Sequence, residues 1–238
     1  MLDNISLENI LFLDIETVPQ SESFSNLSDE MKVLWEKKAT YIRKENETTA
    51  DAYRHAGIYA EFGKIICICA GYISGKNDKR TMRIKAFAGD DEAKLLRAFS
   101  EMLGKFFSGG NKYLCAHNGK EFDYPFIARR MLINGIKLPA TLDTAGKKPW
   151  EVQHLDTMEL WKFGDYKSYT SLNLLAAIFN VPTPKDDIDG SMVNEVYWKQ
   201  RDLERIARYC RKDVLTVAQL VLRFKGESLL ENENVEML

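Results

Sequence analysis

The order of apolar patterns along the chain is the feature that most constrains its fold. An apolar run at Ile10–Leu13 is typical of a strand buried on both faces. The β-branched stretch Lys64–Tyr72 and the alternating stretch Thr81–Ala88 flank turn residues at 75–78, which predicts a hairpin. The chain therefore begins with three strands that can pair in antiparallel fashion.

Helical and strand patterns alternate over the rest of the chain. The predicted elements are a helix at 90–107, a strand at 113–116, a helix at 123–134, a short strand at 152–155, and helices at 172–179 and about 201–224. Helices that link strands in this way act as crossovers over a sheet. The order predicts an α/β fold with one mixed sheet and helices on both faces.

The same patterns predict one domain with two appendages. Residues 1–225 form the domain, and the polar stretch 20–61 is a helical insertion on its surface. Residues 226–238 carry four glutamates and no basic residue, and are expected to be a frayed acidic tail.

Composition and charge narrow the class of protein. With 33 basic and 35 acidic residues the net charge is −2, which argues against binding a nucleic acid through bulk positive charge. The apolar stretch Ile65–Ile73 is far shorter than the roughly 20 residues of a membrane span, and the N-terminus carries Asp3 and Glu8 where a signal peptide would be basic. We expect a cytoplasmic protein without membrane contact.

Four cysteines lie in apolar surroundings, which fits a reducing compartment. Cys67 and Cys69 alternate on one strand and would share a face, so that a zinc site with Cys115 and His117 is conceivable. The simpler interpretation is that they are small buried hydrophobic residues.

The first chemically informative pattern is Asp14 and Glu16 in LFLDIETVP. A carboxylate directly after an apolar strand is costly to desolvate unless a positive charge compensates it, and Asp-x-Glu at strand spacing directs both side chains to one side. A divalent cation would supply that charge. Two further Asp-x-Glu pairs, Asp90/Glu92 and Asp202/Glu204, lie on predicted helices and are expected to be solvated surface charge.

Two further patterns follow. In HNGKEFDYPFIARR, Asn118 ends a strand and Phe122 and Asp123 open a helix, where Asp123 alone would be an N-cap. In YCRKD, Tyr209 and Asp213 lie four residues apart on one face of the last helix.

Together and in this order, the three patterns resemble the exonuclease motifs of the DEDD superfamily, in its DEDDy variant. The resemblance covers nearly the whole chain, because SLNLLAAIFNVP also looks like the helix that precedes the third motif. The chain is most similar to stand-alone predicted 3′–5′ exonucleases related to the proofreading domain of family B DNA polymerases. That family implies a ribonuclease H-like fold.

The resemblance also implies site residues and cofactors. It makes Asp14, Glu16, Asp123 and Asp213 ligands of two divalent cations, Mg²⁺ or Mn²⁺, and Tyr209 the residue that orients the attacking water. Two cations about 3.5–4 Å apart can activate a water and stabilise the leaving 3′-oxygen of a phosphodiester. The implied reaction releases nucleoside monophosphates from a free 3′ end, and Asn118 and Phe122 match positions that face the substrate.

The substrate and partners are expectations of the same kind. We expect single-stranded nucleic acid, with DNA favoured; an exoribonuclease and a non-catalytic nucleic-acid-binding module are the alternatives, and a polymerase or repair partner is conceivable. The tail contributes −4 and the four site acids another −4, which leaves the rest of the chain at +6, so the net charge of −2 does not exclude this substrate.

Two further groups are candidates for substrate contact. His154 and Asp156 share a face of the predicted last strand and either approach the site or form a satisfied, half-buried pair. The stretch 147–169 interleaves basic and aromatic residues, as a surface that stacks bases would, although ordinary packing uses the same residues. These residues are Lys147, Lys148, Trp150, Trp161, Lys162, Phe163, Tyr166, Lys167 and Tyr169.

Overall fold

One mixed sheet organises the computed structural model, which describes residues 2–76, 79–165, 169–182 and 188–238. In this part of the chain six strands pair in the order β5-β4-β1-β2-β3-β6. The strands are β1 (Ile10–Pro19), β2 (Gly63–Ser74), β3 (Thr81–Ala88), β4 (Tyr113–Ala116), β5 (Leu155–Asp156) and β6 (Val235–Met237). The β1, β2 and β3 strands are antiparallel neighbours, whereas β4 and β5 run parallel to β1, and β6 runs parallel to β3.

Helices cover both faces of the sheet, as predicted. They are α1 (Asp29–Ala39), α2 (Thr49–Ala52), α3 (Glu92–Phe106), α4 (Asp123–Ile133), α5 (Thr157–Lys162), α6 (Leu172–Ile178), α7 (Val193–Glu195) and α8 (Leu203–Phe224). A short π-helical segment, Val196–Gln200, precedes α8. The predicted turn residues Asn77 and Asp78, and Tyr166 and Lys167 of the basic and aromatic stretch, lie outside the described residues.

Two apolar cores lie on opposite faces of the sheet. Along β1, Ile10 and Phe12 pack with α8 in one core, while Leu11 and Leu13 pack with α3 and α4 in the other. This alternation follows from the two-residue period of a strand, because both faces of β1 are covered. Even-numbered positions of β1 therefore face α8.

The β1 strand is longer than its apolar run. It continues through Asp14 and Glu16 to Pro19, with a register shift against β2 between Glu16 and Thr17. The predicted last strand at 152–155 is also displaced, since β5 contains only Leu155 and Asp156.

The insertion at 20–61 has a small aromatic core of its own. Trp35 is fully buried, packs edge-on against Tyr53 with ring centroids 5.3 Å apart, and donates a hydrogen bond to the Thr49 carbonyl. A Cβ at Gly57 would lie 3.0 Å from the backbone of Val18, so the absence of a side chain lets this segment lie directly on the end of β1. This segment contains α1 and α2, and its residues Arg54 and His55 line a groove together with Glu16 of β1.

The prediction that residues 226–238 are frayed is wrong. Their last strand, β6, extends the sheet at the outer edge of β3, and Leu230 is buried while exchanging two hydrogen bonds with Gln219. An ion pair of 2.7 Å joins Arg83 to Glu236. The many glutamates indicated a solvated tail. Sequence charge alone does not show that a basic residue at the sheet edge, Arg83, pairs with one of them.

The prediction that Glu92 is solvated is also wrong. Glu92 is 8% exposed and receives two hydrogen bonds from Arg130, which is itself 4% exposed. It also accepts the backbone N–H of Ile65 at 2.7 Å. This buried ion pair joins α3 and α4 to the start of β2.

Within the described residues, none of the helices combines the length and the apolar character that a bilayer crossing requires.

Candidate active site

The first two acids lie on the face of β1 that is covered by α8. Asp14 is half-buried and Glu16 is 7% exposed. They follow Ile10 and Phe12 on this face, as the alternation of a strand requires. The sequence therefore places two carboxylates where a continuous apolar pattern would put core side chains.

The last helix brings Tyr209 and Asp213 to the same place. An apolar row packs α8 against the sheet, and it consists of Ile206, Cys210, Val214 and Val217. Tyr209 and Asp213 are one turn apart beside this row and hydrogen-bond to each other. The Cys210 thiol donates to the backbone carbonyl of Asp14 over 3.4 Å, which joins α8 to β1 at the site.

Asp123 reaches the site from the start of α4. It is the first residue of the helix and 3% exposed, and Phe122 occupies the N-cap position without a side-chain cap. The simpler interpretation of Asp123 as an N-cap is therefore wrong. Its Oδ1 atom is buried and has no hydrogen-bond partner.

The four acids are close enough to repel one another. Burial raises the pKa of Asp14 well above its ordinary value, and the charges of Glu16, Asp213 and Asp123 add to the rise. Burial likewise raises the pKa of Glu16, with Asp213 among the charges that contribute. Crowded carboxylates with raised pKa values are a conflict that bound cations relieve.

The carboxylate oxygens fit a divalent cation by a second criterion. Asp14 Oδ2 and Asp123 Oδ1 are both shielded from solvent and without a hydrogen-bond partner. Buried carboxylate oxygens are normally satisfied, and carboxylate oxygen is the ligand that Mg²⁺ and Mn²⁺ prefer. The donor set is therefore appropriate for such ions.

The metal-free protein is expected to lose stability as the pH rises from 4 to 8. Burial raises the pKa of Asp123 from 3.8 to about 7, with Asp156 and Asp213 adding to the rise and hydrogen bonds from the Asp123 and Ile15 backbone opposing it. The pKa of Asp123 is higher in the folded than in the unfolded protein, so protonation of Asp123 favours the folded state. This contribution to stability is complete below about pH 4 and is lost as the pH rises through about 7.

Thermal unfolding in chelator at pH 5 and pH 8 measures this effect, which we expect to be about 2–4 kcal/mol. Asp123→Asn should reduce the difference between the two pH values. An unchanged difference in the variant would show that Asp123 is not the group responsible.

The tyrosine of the site stays protonated. Burial raises the pKa of Tyr209 well above its ordinary value, and the charges of Asp213, Glu16 and Asp14 raise it further. The phenol is therefore a neutral hydrogen-bonding group at neutral pH.

The carboxylate of Asp156 organises the loop before α4. Asp156 accepts hydrogen bonds from the backbone N–H groups of Asn118 at 2.9 Å and Lys120 at 3.1 Å, and it also caps α5. Asn118 has a φ of +63°, and its Oδ1 is buried without a partner. An aspartate just before a helical pattern is an N-cap signal, but no local pattern showed that this carboxylate also holds Asn118.

His154 and His117 bond to backbone or hydroxyl groups outside the acidic cluster. His154 packs on the ring of Tyr124 and its Nε2 lies 2.6 Å from the Thr141 carbonyl, whereas Asp156 holds the loop of Asn118, so the two do not form a pair. His117 bonds to the Thr157 hydroxyl and the Thr170 carbonyl. Among the described residues, the thiols that lie together are those of Cys67, Cys69 and Cys210, so the grouping with Cys115 and His117 is wrong.

Two grooves are lined by candidate site residues, one by Glu16 and Phe122 and the other by Asn118. One has a cavity volume of about 630 Å³, and its lining includes Glu16, Arg54, His55, Phe122, Trp198 and Lys199. The other has a volume of about 570 Å³, and its lining includes Asn118, Lys120, Tyr124, Lys147, Trp150 and Lys162. Part of the predicted basic and aromatic stretch therefore lines the same groove as Asn118.

The aromatic residues of that stretch divide into two groups. Trp150 is 76% exposed and has the Lys148 ammonium 5.3 Å from its ring centroid. Phe163 and Tyr169 are also exposed, whereas Trp161 packs against Phe179. Ordinary packing therefore accounts for Trp161, and the exposure of Trp150 is consistent with a binding surface.

The mixed sheet and the acids gathered from β1, α4 and α8 define an exonuclease-related domain. A family model described as a predicted 3′-5′ exonuclease related to the exonuclease domain of PolB matches residues 58–235. This covers about three quarters of the chain, which belongs to this family and has its α/β, ribonuclease H-like fold. Asp123, Tyr209 and Asp213 lie inside the matched range, and Asp14 and Glu16 precede it. No curated protein matches the chain.

Proposed function

We propose that the protein is a metal-dependent 3′–5′ exonuclease that removes nucleoside monophosphates from the 3′ end of single-stranded nucleic acid, with DNA favoured over RNA. The observation that carries the proposal is the convergence of four carboxylates and Tyr209 at one point, with buried oxygens of Asp14 and Asp123 left without hydrogen-bond partners. Membership of the exonuclease family supports the same reaction.

The four acids would hold two divalent cations, Mg²⁺ or Mn²⁺. Bound there, such ions would supply a water of lowered pKa and a positive charge beside the leaving 3′-oxygen. Asp14 and Glu16 approach from β1, Asp123 from α4 and Asp213 from α8, so that ligands from three elements enclose one region. The fold therefore positions the four carboxylates before substrate binds.

Tyr209 would orient the attacking water. Its phenol remains protonated and already hydrogen-bonds to Asp213, so it is positioned beside a proposed ligand without being one itself. Glu16, whose charge also acts on Tyr209, would both bind a cation and accept a hydrogen bond from this water. Phe122 lines one groove and Asn118 lines the other, and both would contact the substrate.

Replacing Tyr209 with phenylalanine is expected to lower kcat by about 10- to 100-fold, because the water loses a positioning hydrogen bond. Mn²⁺ affinity, measured by calorimetry, should change by less than about twofold, since the phenol is not a ligand. Tyr113→Phe on β4 is the control and should be unaffected. A large loss of Mn²⁺ affinity in Tyr209→Phe would contradict this role.

We further propose that the groove containing Trp150 carries the nucleotides upstream of the 3′ end. Trp150→Ala should raise KM for a single strand by about 10-fold with little change in kcat, because stacking one base contributes about 1–3 kcal/mol. Phe163→Ala is the control: it is equally exposed but is not part of the groove lining. Equal effects of the two substitutions on KM would contradict the assignment.

The choice between DNA and RNA is tested with matched oligonucleotides of both kinds, with free and blocked 3′ ends, in Mg²⁺ and in Mn²⁺. The proposal expects degradation of unblocked DNA and resistance of blocked strands. Faster degradation of RNA would favour an exoribonuclease. Binding without degradation would favour a non-catalytic module.

A further inference from the structure

Three cysteine thiols lie together between β2 and α8, directly beside the acidic cluster. Cys67 and Cys69 project from β2 towards α8, and Cys210 projects from α8 towards the sheet. All three sulfur atoms lie within 4.8 Å of one another, and all three side chains are buried. We call these residues the thiol trio.

The spacing of the trio fits a metal ion with tetrahedral coordination. A Zn²⁺–S bond is about 2.3 Å long, so two thiolates on one tetrahedral zinc ion are about 3.8 Å apart. The sulfur atoms of Cys67 and Cys69 are 3.7 Å apart. The third sulfur therefore needs only a small adjustment to complete a three-thiolate face.

The carboxylate of Asp14 lies beside Cys210 and would become the fourth ligand by shifting towards the other two thiols. Cys69 is the cross-strand partner of Asp14 in the β1–β2 ladder, and Cys67 is the partner of Glu16. The Cys210 sulfur also lies within 4.8 Å of a carboxylate oxygen of Asp14 and of Glu16. Asp14 Oδ2 is buried and has no hydrogen-bond partner, so it is the oxygen that such an ion would satisfy.

We propose that the thiol trio and Asp14 form a site for a thiophilic divalent cation of the Zn²⁺ class. Thiolate ligands select such ions, whereas Mg²⁺ prefers oxygen alone. Each thiol that binds releases its proton to solvent, and the hydrogen bonds from Cys210 to the Asp14 carbonyl and from Cys69 to the Ala207 carbonyl are given up. Occupation of the site withdraws Asp14 from the acidic cluster.

A functional consequence rests on the proposed exonuclease activity. Asp14 cannot bind fully to cations at both sites. Zn²⁺ bound at the thiol trio should therefore inhibit Mg²⁺-dependent hydrolysis, in addition to any competition for the Mg²⁺ ligands. The thiol trio would then make the activity sensitive to Zn²⁺.

The test uses Cd²⁺ as a spectroscopic substitute for Zn²⁺ on the full-length protein freed of divalent ions. We expect ultraviolet thiolate-to-Cd²⁺ charge-transfer absorption that saturates at one equivalent. Cys210→Ser should weaken Cd²⁺ binding by at least about 10-fold, the loss typical of removing even an outer partner of a metal ligand. Cys115→Ser, a buried cysteine outside the trio, is the control and should retain the absorption.

The activity arm measures the Zn²⁺ concentration that halves each variant's own Mg²⁺-dependent rate, and this concentration should rise at least about 10-fold in Cys210→Ser. Cys67→Ala replaces Cys210→Ser if circular dichroism shows that the latter is unfolded. Absorption that is missing in the wild type, or that depends on Cys115 instead, would overturn the site. A protein without nuclease activity but with the Cd²⁺ absorption would overturn the proposed function and leave the site intact.

Discussion

Replacing Asp14 with alanine is expected to lower the rate of 3′–5′ hydrolysis by at least about a thousandfold. Asp14 contributes a buried oxygen without a hydrogen-bond partner, and it is the acid that feels the charges of the other three. Its loss removes one of the four carboxylates that are proposed to hold the cations. The measurement is kcat on a 3′-labelled single strand in saturating Mg²⁺.

The fold should survive this substitution. Removing a charge from a crowded acidic cluster relieves repulsion, so we expect the metal-free variant to unfold at the same temperature as the wild type or higher. Glu101→Ala on α3, where Glu101 is exposed and paired with Lys105, is a matched control that should keep full activity. Comparable rates in Asp14→Ala and the wild type would refute the catalytic assignment.

The largest expected effect on stability comes from Arg130. Its guanidinium donates two hydrogen bonds to Glu92 and one to the Ala60 carbonyl, and both side chains are buried. Arg130→Met leaves the Glu92 carboxylate buried without its cation, which typically costs about 3–5 kcal/mol. Urea unfolding should show this loss of unfolding free energy.

Two comparisons separate the buried ion pair from general charge effects. Arg83→Met breaks the more exposed pair with Glu236 and should cost less than about 1 kcal/mol. The double variant Arg130→Met/Glu92→Gln should regain part of the loss, because no unpaired charge remains buried. Equal destabilisation by Arg130→Met and Arg83→Met would contradict the importance of the buried pair.

Much of the fold could be predicted because its elements have clear periods. The hairpin strand Thr81–Ala88 alternates, α8 has an apolar row at helical spacing, and both were predicted with nearly the observed bounds. The strand β6 and the burial of Glu92 could not be predicted, because each depends on a distant partner. Arg83 and Arg130 lie far along the chain from the acids they meet.

In the candidate site, too, residues in sequence motifs could be predicted, whereas contacts between distant residues could not. Asp14, Glu16, Asp123, Tyr209 and Asp213 were predicted because three motifs, in this order, resemble those of the DEDDy exonucleases.

The structure brings these five residues together. The hydrogen bond from the Asn118 backbone N–H to Asp156 was not predicted, because the two residues are far apart in the sequence and meet only in the folded protein. The thiol trio was missed because Cys210 reaches Cys67 and Cys69 only through the packing of α8 on β2.

We propose that the acidic cluster is the centre of a metal-dependent 3′–5′ exonuclease. The most direct measurement follows a 5′-labelled single-stranded DNA during incubation with the protein in Mg²⁺ or in chelator, with Asp213→Asn as the inactive comparison. We predict products that shorten one nucleotide at a time from the 3′ end in Mg²⁺, and intact DNA in chelator and with the variant. An intact strand in both Mg²⁺ and Mn²⁺, or equal degradation by Asp213→Asn, would contradict the account.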